Sequence, residues 1–315
     1  MGNFLDRRGF LKSTALGAGM ALSTSAVHAA PVEKKYQDNT SPWPLVMNAS
    51  TIRPAPVRTK IQVTADAGWD GIELWMQDLE AHEKEGGSLK ELAQEIKEKG
   101  LYVNNIIGLW GCMPPGEDEW NAQLVKTRNM MRMCHEVGSP SVAALPFPDR
   151  EDFDLAWGAV KYKELMKIGR EEYDLRVAFE FIGFLKGVHR LGQAAAVAID
   201  ADERDAGLIM DTFHLYRGGS GFSGIKHLDP RFMADFHWND VPATPGQFEL
   251  KDKDRIYPGD GILPLTQALK DLADVGYTGP LSLELFNETL WAQDPAQVAH
   301  DGLAKMRSNI AAAGV

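Results

Sequence analysis

Short apolar runs alternate with longer amphipathic segments along most of the chain. Residues 45–49 form the first apolar run, and residues 57–67 follow with helical spacing before Gly68. A second apolar run at 71–75 precedes another amphipathic segment at 88–99. Apolar residues that recur every three or four positions indicate a helix, whereas short apolar runs indicate buried strands. The first hundred residues therefore predict strands and helices in alternation.

The same alternation continues to the C terminus. Further strands are predicted at residues 102–108, 141–145, 176–181, 206–210, 232–236 and 280–286. Further helices are predicted at 117–137, 155–173, 188–199, 263–275 and 295–313. Eight strand and helix units in one domain predict an α/β fold of the (β/α)₈ TIM barrel type. A doubly wound sheet would have fewer strands, and no glycine-rich phosphate loop follows the first strand.

The N-terminal segment differs in character from the rest of the chain. Residues 6–12 resemble a twin-arginine export signal around Arg7 and Arg8, and a weakly apolar run follows at 13–26. A small-residue cleavage site ends at Ala29. We expect a signal peptide at 1–29, a linker at 30–42 and one barrel domain at 43–315. The twin-arginine export machinery is then a partner and the periplasm the destination, because the apolar run is too short and weak for a stable membrane span.

Polar side chains cluster at the predicted carboxyl ends of the strands, where barrel enzymes carry their functional residues. The first four strands end near Asn48 and Ser50, Glu73 and Trp75, Trp110, and Phe147. The last four end near Glu180, Asp211 and His214, His237 and Asp240, and Glu284. Each of strands five to eight thus delivers a carboxylate or an imidazole, and such a set converges on the barrel axis.

Three carboxylates and one imidazole form the candidate metal site, which consists of Glu180, Asp211, His237 and Glu284. Without a cation these carboxylates would repel one another strongly in a partly dehydrated pocket. The site therefore predicts one divalent metal ion. Its oxygen-rich donor set favours Mn²⁺, Mg²⁺ or Co²⁺, and Zn²⁺ stays open as an alternative.

Composition narrows the function further. The net charge of −11 would repel a phosphate backbone, so no nucleic-acid partner is expected and a small polar substrate fits better. The two cysteines, Cys112 and Cys134, show no metal-type CxxC spacing. We interpret them as structural, with a disulfide in the periplasm as the alternative. The sequence allows a homo-oligomer but does not specify one.

Several motifs taken together resemble one family. They are Glu180, Asp211-Thr-Phe-His214, His237-Trp-Asn-Asp240, Arg255-Ile-Tyr-Pro-Gly-Asp-Gly261 and Glu284. In this order they are similar to the xylose isomerase-like barrel superfamily, within it to the sugar phosphate isomerase/epimerase group. That group includes ketose 3-epimerases, hydroxypyruvate isomerase and inosose dehydratase. The polar stretch 243–254 before Arg255 reads as an insertion over the pocket.

The resemblance implies roles for individual residues. The four residues of the candidate metal site would bind the ion, and Glu180 and Glu284 would also carry protons on opposite faces of a ketose. His214 and Arg255 would hold substrate oxygens. Strand-end position adds further candidates for substrate binding: Glu73, Trp75, Trp110 and Asp240. For these, an ion pair inside the barrel, packing at the rim or contact with another site residue are the alternatives.

We therefore expect an enzyme, a metal-dependent sugar isomerase or epimerase that acts through an enediolate on a ketose or keto-sugar. The alternatives are a lyase of the inosose dehydratase type on the same site and a non-catalytic periplasmic sugar-binding barrel. Export also favours a carbohydrate that is not phosphorylated. An endonuclease is disfavoured, because no histidine occurs from 241 to 261, where the related nucleases carry a metal ligand.

Overall fold

The computed structural model describes residues 41–315. The predicted signal peptide at 1–29 and the predicted linker up to residue 40 lie outside the described residues. Among residues 41–315, no helix combines the length and the apolar character that crossing a bilayer requires.

Eight parallel strands close into a barrel in chain order, with the eighth strand paired to the first. The strands are β1 Leu45–Asn48, β2 Gly71–Trp75, β3 Tyr102–Leu109, β4 Ser141–Ala144, β5 Arg176–Glu180, β6 Leu208–Asp211, β7 Met233–Trp238 and β8 Leu281–Leu283. The predicted (β/α)₈ barrel is confirmed. Because all strands run the same way, their carboxyl ends meet at one face.

Helices surround the barrel. They are α1 Val57–Ala67, α2 Met76–Lys84, α3 Leu89–Glu98, α4 Glu117–Glu136, α5 Leu155–Tyr173, α6 Leu191–Asp200, α7 Thr212–Arg217, α8 Leu265–Asp274, α9 Glu288–Trp291 and α10 Pro295–Ala313. Local chemistry sets their ends. Asp154 caps α5 by accepting from the Ala156 and Trp157 amides, and Gly68 ends α1 with a φ of 86°, which glycine adopts without strain.

The predicted bounds of α1, α5 and α10 agree with the structure residue for residue. The helix between β5 and β6 was predicted from residue 188, whereas α6 begins at Leu191. The short helices α2, α7 and α9 were not predicted. Each has fewer than ten residues and directly follows a strand or a strand-end loop, so hydrophobic periodicity has too few turns to reveal it.

The main core lies between the strands and the surrounding helices, where side chains such as Ile61, Leu165, Leu269 and Met306 are fully buried. Cys112 and Cys134 belong to this core as free thiols, and burial raises the pKa of both. Their structural interpretation agrees with this placement. The interior of the barrel is different, because buried polar side chains from β1, β2, β3, β7 and β8 fill much of it.

Candidate active site

Strand register brings the predicted metal site together. Asp211 pairs with His237 across β6 and β7, and Glu180 lies at the end of β5, beside Ile209. Glu284 follows β8 directly. The candidate ligand atoms of Glu180, Asp211, His237 and Glu284 all lie within 4.8 Å of one another, and all four side chains are buried. The four residues selected from strand ends therefore converge on one point.

His237 stands at the centre of this group. Its Nδ1 atom lies 3.2 Å from Glu180 Oε1, 3.5 Å from Asp211 Oδ2 and 3.2 Å from Glu284 Oε2. Nδ1 is fully buried and makes no hydrogen bond of good geometry. Burial lowers the pKa of His237, but the surrounding carboxylates outweigh this and raise it well above its ordinary value. The site therefore favours a positive charge beside Nδ1.

A divalent cation fits this demand. A neutral imidazole whose Nε2 carries the proton directs its Nδ1 lone pair to the point on which the three carboxylates also converge. One imidazole nitrogen and three carboxylates are a donor set that can bind a metal ion. Burial raises the pKa of Glu180 to about 7, and the charges of Glu284 and Asp211 add to this effect against the opposing influence of His237. A buried carboxylate that resists ionisation beside two others is one that a bound cation would stabilise.

Glu73 fixes the tautomer of His237 from the opposite side. Its Oε1 lies 3.2 Å from His237 Nε2 and accepts from Asn105 Nδ2 at 2.8 Å, while its Oε2 accepts from Asn48 Nδ2 and the Ser282 hydroxyl. Burial opposes ionisation, but the charge of His237 and these hydrogen bonds lower the pKa of Glu73 to about 2. A carboxylate at Nε2 keeps the proton there and leaves Nδ1 for the metal.

The expected contact between Glu73 and substrate is therefore corrected. The side chain is fully buried, both oxygens are occupied by protein donors, and it does not line the pocket. The strand-end rule, by which functional residues lie at the carboxyl ends of barrel strands, places Glu73 inside the barrel. It could not show that Glu73 lies one layer beneath the candidate metal site.

Arg255 is fully buried beside the ligands. Its Nη1 donates to Asp211 Oδ2 at 2.6 Å and to Glu284 Oε2 at 2.8 Å, and its Nη2 donates to Asp252. Its guanidinium carbon lies 4.5 Å from the Phe213 ring centroid. Arg255 thus belongs to the site, as predicted from the motif, and partly neutralises two of its carboxylates.

His214 lines the pocket next to Arg255. Its backbone amide donates to Asp211 Oδ1, which caps α7 and fixes the ring's position. Burial lowers the pKa of His214 to about 4, so the ring is neutral and has one lone pair. The Gly183 amide lies 3.1 Å from Nδ1, and Arg255 Nη2 lies 3.2 Å from Nε2, so both ring nitrogens face N–H donors. A neutral imidazole accepts from only one of these two donors, and the two contacts together hold the ring at the inner end of the pocket.

A pocket of about 440 Å³ opens above the ligands. Glu180, Glu284 and His214 lie at its buried inner end, together with Arg255. Its aromatic wall includes Trp75, whose ring centroid lies 5.8 Å from that of Trp110, and Phe147 beyond Trp110. Trp75 and Trp110 thus line the pocket, as the strand-end rule predicts. Stacking of these two rings on a bound substrate stays a prediction.

Asp240 does not reach the pocket, which corrects the expected substrate contact. Its Oδ1 accepts from the Val241 and Leu263 amides, and its Oδ2 accepts from the Gly259 and Gly261 amides. A carboxylate that holds four backbone donors organises a loop. Here it shapes the turn that follows Arg255, so the alternative of contact within the protein is the one that the structure supports.

Other residues in or beneath the pocket were not predicted as site residues. Asn48 is a buried hub that accepts from Trp75 Nε1 and donates to Glu73 and to Glu284. Its position at the end of β1 was the available signal. The rim residues Arg53, Lys253, Phe286 and Trp291 lie on loops or short helices beyond the strands, where the strand-end rule gives no guidance.

Comparisons with known proteins agree with this architecture. Residues 61–309 match the family model described as xylose isomerase-like TIM barrel. An inosose isomerase from Halalkalibacterium halodurans is 27% identical over 266 residues, which cover 80% of this chain and 92% of that protein. One from Bacillus licheniformis is 29% identical over 163 residues, 50% of this chain, and the match spans only 58% of that relative's length.

A second group of relatives has a different name. A 3-dehydroshikimate dehydratase from Pseudomonas aeruginosa is 24% identical over 250 residues, covering 78% of this chain but 39% of that protein. Among solved structures, the IOLI protein with a bound zinc atom superimposes with a TM-score of 0.79 at 22% identity, covering 85% of this chain and 98% of the other. The fold, the site and the matched length lead to one conclusion: the chain belongs to the xylose isomerase-like TIM barrel family.

Proposed function

We propose that this protein is a metal-dependent sugar isomerase or epimerase that acts through an enediolate on a ketose or keto-sugar. The observation that carries this proposal is the convergence of Glu180, Asp211, His237 and Glu284 within 4.8 Å at the base of an aromatic pocket. The similarity to inosose isomerases supports a sugar-modifying enzyme. A sugar-binding barrel without activity would not require two carboxylates at the inner end of the pocket.

The site residues divide the chemistry between them. A divalent cation held by the four ligands would polarise a substrate carbonyl and so acidify the neighbouring C–H bond. Glu180 and Glu284 line the pocket and can take the proton from carbon and return it. His214 and Arg255 would hold substrate oxygens, and the charge of Arg255 favours the enediolate. The aromatic wall excludes water around the reacting carbon.

The two glutamates have different surroundings. Glu284 accepts from Asn48 Nδ2 at 3.2 Å and from Arg255 Nη1 at 2.8 Å, which hold both its oxygens. Within the described part of the chain, Glu180 receives neither an amide nor a guanidinium donor, and its nearest polar contact is His237 Nδ1. Burial and the charges of Glu284 and Asp211 raise the pKa of Glu180, which suits this carboxylate to take a proton from carbon.

A dehydratase is the second candidate, because the 3-dehydroshikimate dehydratases match most of this chain. Loss of a β-hydroxyl from the same enediolate would produce an unsaturated ketone, whereas reprotonation at carbon produces an isomer or epimer. Both reactions use the same carboxylates. The nature of the product, followed by NMR, separates them.

The proposal is tested by incubating the metal-loaded protein with keto- and aldoses in D₂O. We expect deuterium to enter at a carbon next to the carbonyl, which NMR locates directly. Product signals then distinguish an isomer or epimer from a dehydrated compound. If no sugar of a broad panel exchanged deuterium, a binding function would replace the enzymatic one.

Metal removal is expected to destabilise the protein. A ligand present at 100 times its dissociation constant stabilises the folded state by about 2.7 kcal/mol, which raises the Tm of a domain of this size by roughly 5–10 °C. Melting curves with a chelator, and then with Mn²⁺, Mg²⁺, Co²⁺ or Zn²⁺ in turn, check this and rank the metals. His237→Ala should lose the metal-dependent shift, whereas His135→Ala, at an exposed position on α4, should keep it.

We also propose export to the periplasm through the twin-arginine pathway, which rests on Arg7 and Arg8 in the N-terminal segment. Replacing both arginines with lysine should retain the full-length chain in the cytoplasm. Cell fractionation with an antibody against the barrel measures the distribution. Equal periplasmic amounts of the variant and the unchanged protein would contradict this route.

A further inference from the structure

Two basic side chains stand at the mouth of the pocket without a carboxylate partner. Arg53 follows the turn after β1, and Lys253 lies in the β7–β8 connection; both line the pocket and both are exposed. Within residues 41–315, neither forms an ion pair. Asp252, the neighbour of Lys253, pairs with Arg255 instead. The exposed carboxylate of Glu288 also lines the pocket but forms an ion pair with neither residue, so the mouth presents two cationic groups without a direct carboxylate partner.

Arg53 is held in place by aromatic rings. Its guanidinium carbon lies 4.7 Å from the ring centroid of Trp75 and 5.9 Å from that of Phe286. Trp75 is itself fixed, because its Nε1 donates to Asn48 Oδ1 at 2.8 Å. A guanidinium that rests with its charge over aromatic rings keeps its N–H donors for an external acceptor. Arg53 is thus a positioned donor group.

At the inner end of the pocket the cationic side chain, Arg255, is already paired with Asp211, Glu284 and Asp252. Glu180 and Glu284 line this end, and Asp211 lies beneath them. A negatively charged group on the substrate is therefore placed best at the opposite, outer end. The protein as a whole carries a net charge of −11, so an anionic substrate also gains from a local positive region that guides it into the pocket.

We infer that the substrate carries an anionic group, a carboxylate or a phosphate, that Arg53 and Lys253 bind at the mouth while its keto end lies against Glu180 and Glu284. This inference rests on the proposed function and deepens it by naming the substrate class. The sugar spans the aromatic wall between the two ends. Rim contacts set affinity, whereas the inner end performs the chemistry.

Three six-carbon keto compounds test the charge directly: fructose is neutral, 5-ketogluconate carries a carboxylate, and fructose 6-phosphate carries a phosphate. Isothermal titration of each compound into the metal-loaded full chain gives its Kd. Intrinsic tryptophan fluorescence, to which Trp75 and Trp110 contribute, provides a second readout. We expect at least one anionic compound to bind about tenfold more tightly than fructose, because charge-assisted hydrogen bonds are the stronger ones. The anionic compound with the lower Kd shows whether the mouth prefers a carboxylate or a phosphate. Added salt should weaken the binding of that compound.

Substitutions locate the effect. Arg53→Gln and Lys253→Gln should each remove most of the preference for the anionic compound, raising its Kd about tenfold while leaving that of fructose unchanged. The matched controls are Arg204→Gln and Lys270→Gln, which alter exposed basic residues outside the pocket. They should leave both affinities unchanged. Circular dichroism confirms that all four variants fold.

Equal affinities for the neutral and anionic compounds, no detectable binding of any of them, or a preference that survives both pocket substitutions would overturn the inference. Deuterium exchange into fructose or another neutral sugar would then still support the proposed function. Conversely, tight anion binding that depends on Arg53, with no exchange into any sugar, would leave the rim site standing and remove the proposed reaction. The two failures are therefore distinguishable.

Discussion

Glu180→Gln should lower deuterium exchange into the substrate by about 10²–10⁴-fold, the range expected when a general base is removed. The side chain is 3% exposed, lines the inner end of the pocket and lacks the amide and guanidinium donors that hold Glu284. Glutamine has nearly the same shape but cannot accept a proton from carbon. Exchange followed by NMR in D₂O, at saturating metal, measures the effect.

Glu284→Gln should lower the formation of an epimerised product by a similar factor, since epimerisation requires a proton carrier on each face of the substrate. Metal content must be measured in both variants, because a weaker ligand set alone would also lower activity. Glu171→Gln, an exposed position on α5, is the matched control and should exchange at the normal rate. If Glu180→Gln retained exchange with its metal bound, the assignment of Glu180 as the base would be wrong.

The fold could be predicted because its signals are local and repeated. Strands such as Gly71–Trp75 are short apolar runs, and helices such as Leu155–Tyr173 have enough turns for periodicity to appear. Helix α7 has only six residues and starts directly after the candidate ligand Asp211. A strand that changes into a helix at a functional residue leaves no periodic pattern, so this feature required the structure.

The strand-end rule locates residues at the carboxyl face of the barrel but does not give the direction of their side chains. The rule brought Glu180 and Glu284 to one point, because parallel strands place their carboxyl ends together. It also selected Glu73 and Asp240, whose carboxylates are occupied within the protein. Sequence indicates that a residue lies at a strand end, but not whether it points up into the pocket or down into the barrel.

Polar side chains that point down into the barrel, away from the pocket, make the barrel interior polar. Glu73, Asn105 and Ser282 form a fully buried hydrogen-bonded layer beneath the ligands, where many barrels carry branched apolar residues. Such a layer is stable only if its groups are satisfied, because an unpaired buried polar group costs about 1–3 kcal/mol. The layer holds His237 rigidly, and Asn48 extends it to Glu284 and Trp75.

Glu73→Gln should therefore weaken metal binding by about 10–100-fold, the usual effect of losing the hydrogen-bond partner of a metal-binding histidine. The carboxylate accepts from Asn48 and Ser282 at Oε2 and from Asn105 and His237 at Oε1. Glutamine keeps only one of these oxygens, and its amide nitrogen next to His237 would remove the acceptor that keeps the ring proton on Nε2. Equilibrium dialysis of Co²⁺ gives the affinity, and the visible spectrum of bound Co²⁺ reports any change in ligand geometry.

Ser282→Ala tests whether a loss of metal affinity follows simply from a loss of protein stability. It removes one hydrogen bond to Glu73 Oε2 but leaves the contact of Oε1 with His237 intact. We expect a loss of roughly 1 kcal/mol in the free energy of unfolding, with the Co²⁺ affinity and spectrum nearly unchanged. If both variants lowered Co²⁺ affinity in proportion to their loss of stability, Glu73 would be a structural residue. A selective effect of Glu73→Gln on Co²⁺ binding instead means that the layer beneath the site sets the metal affinity through His237 Nε2.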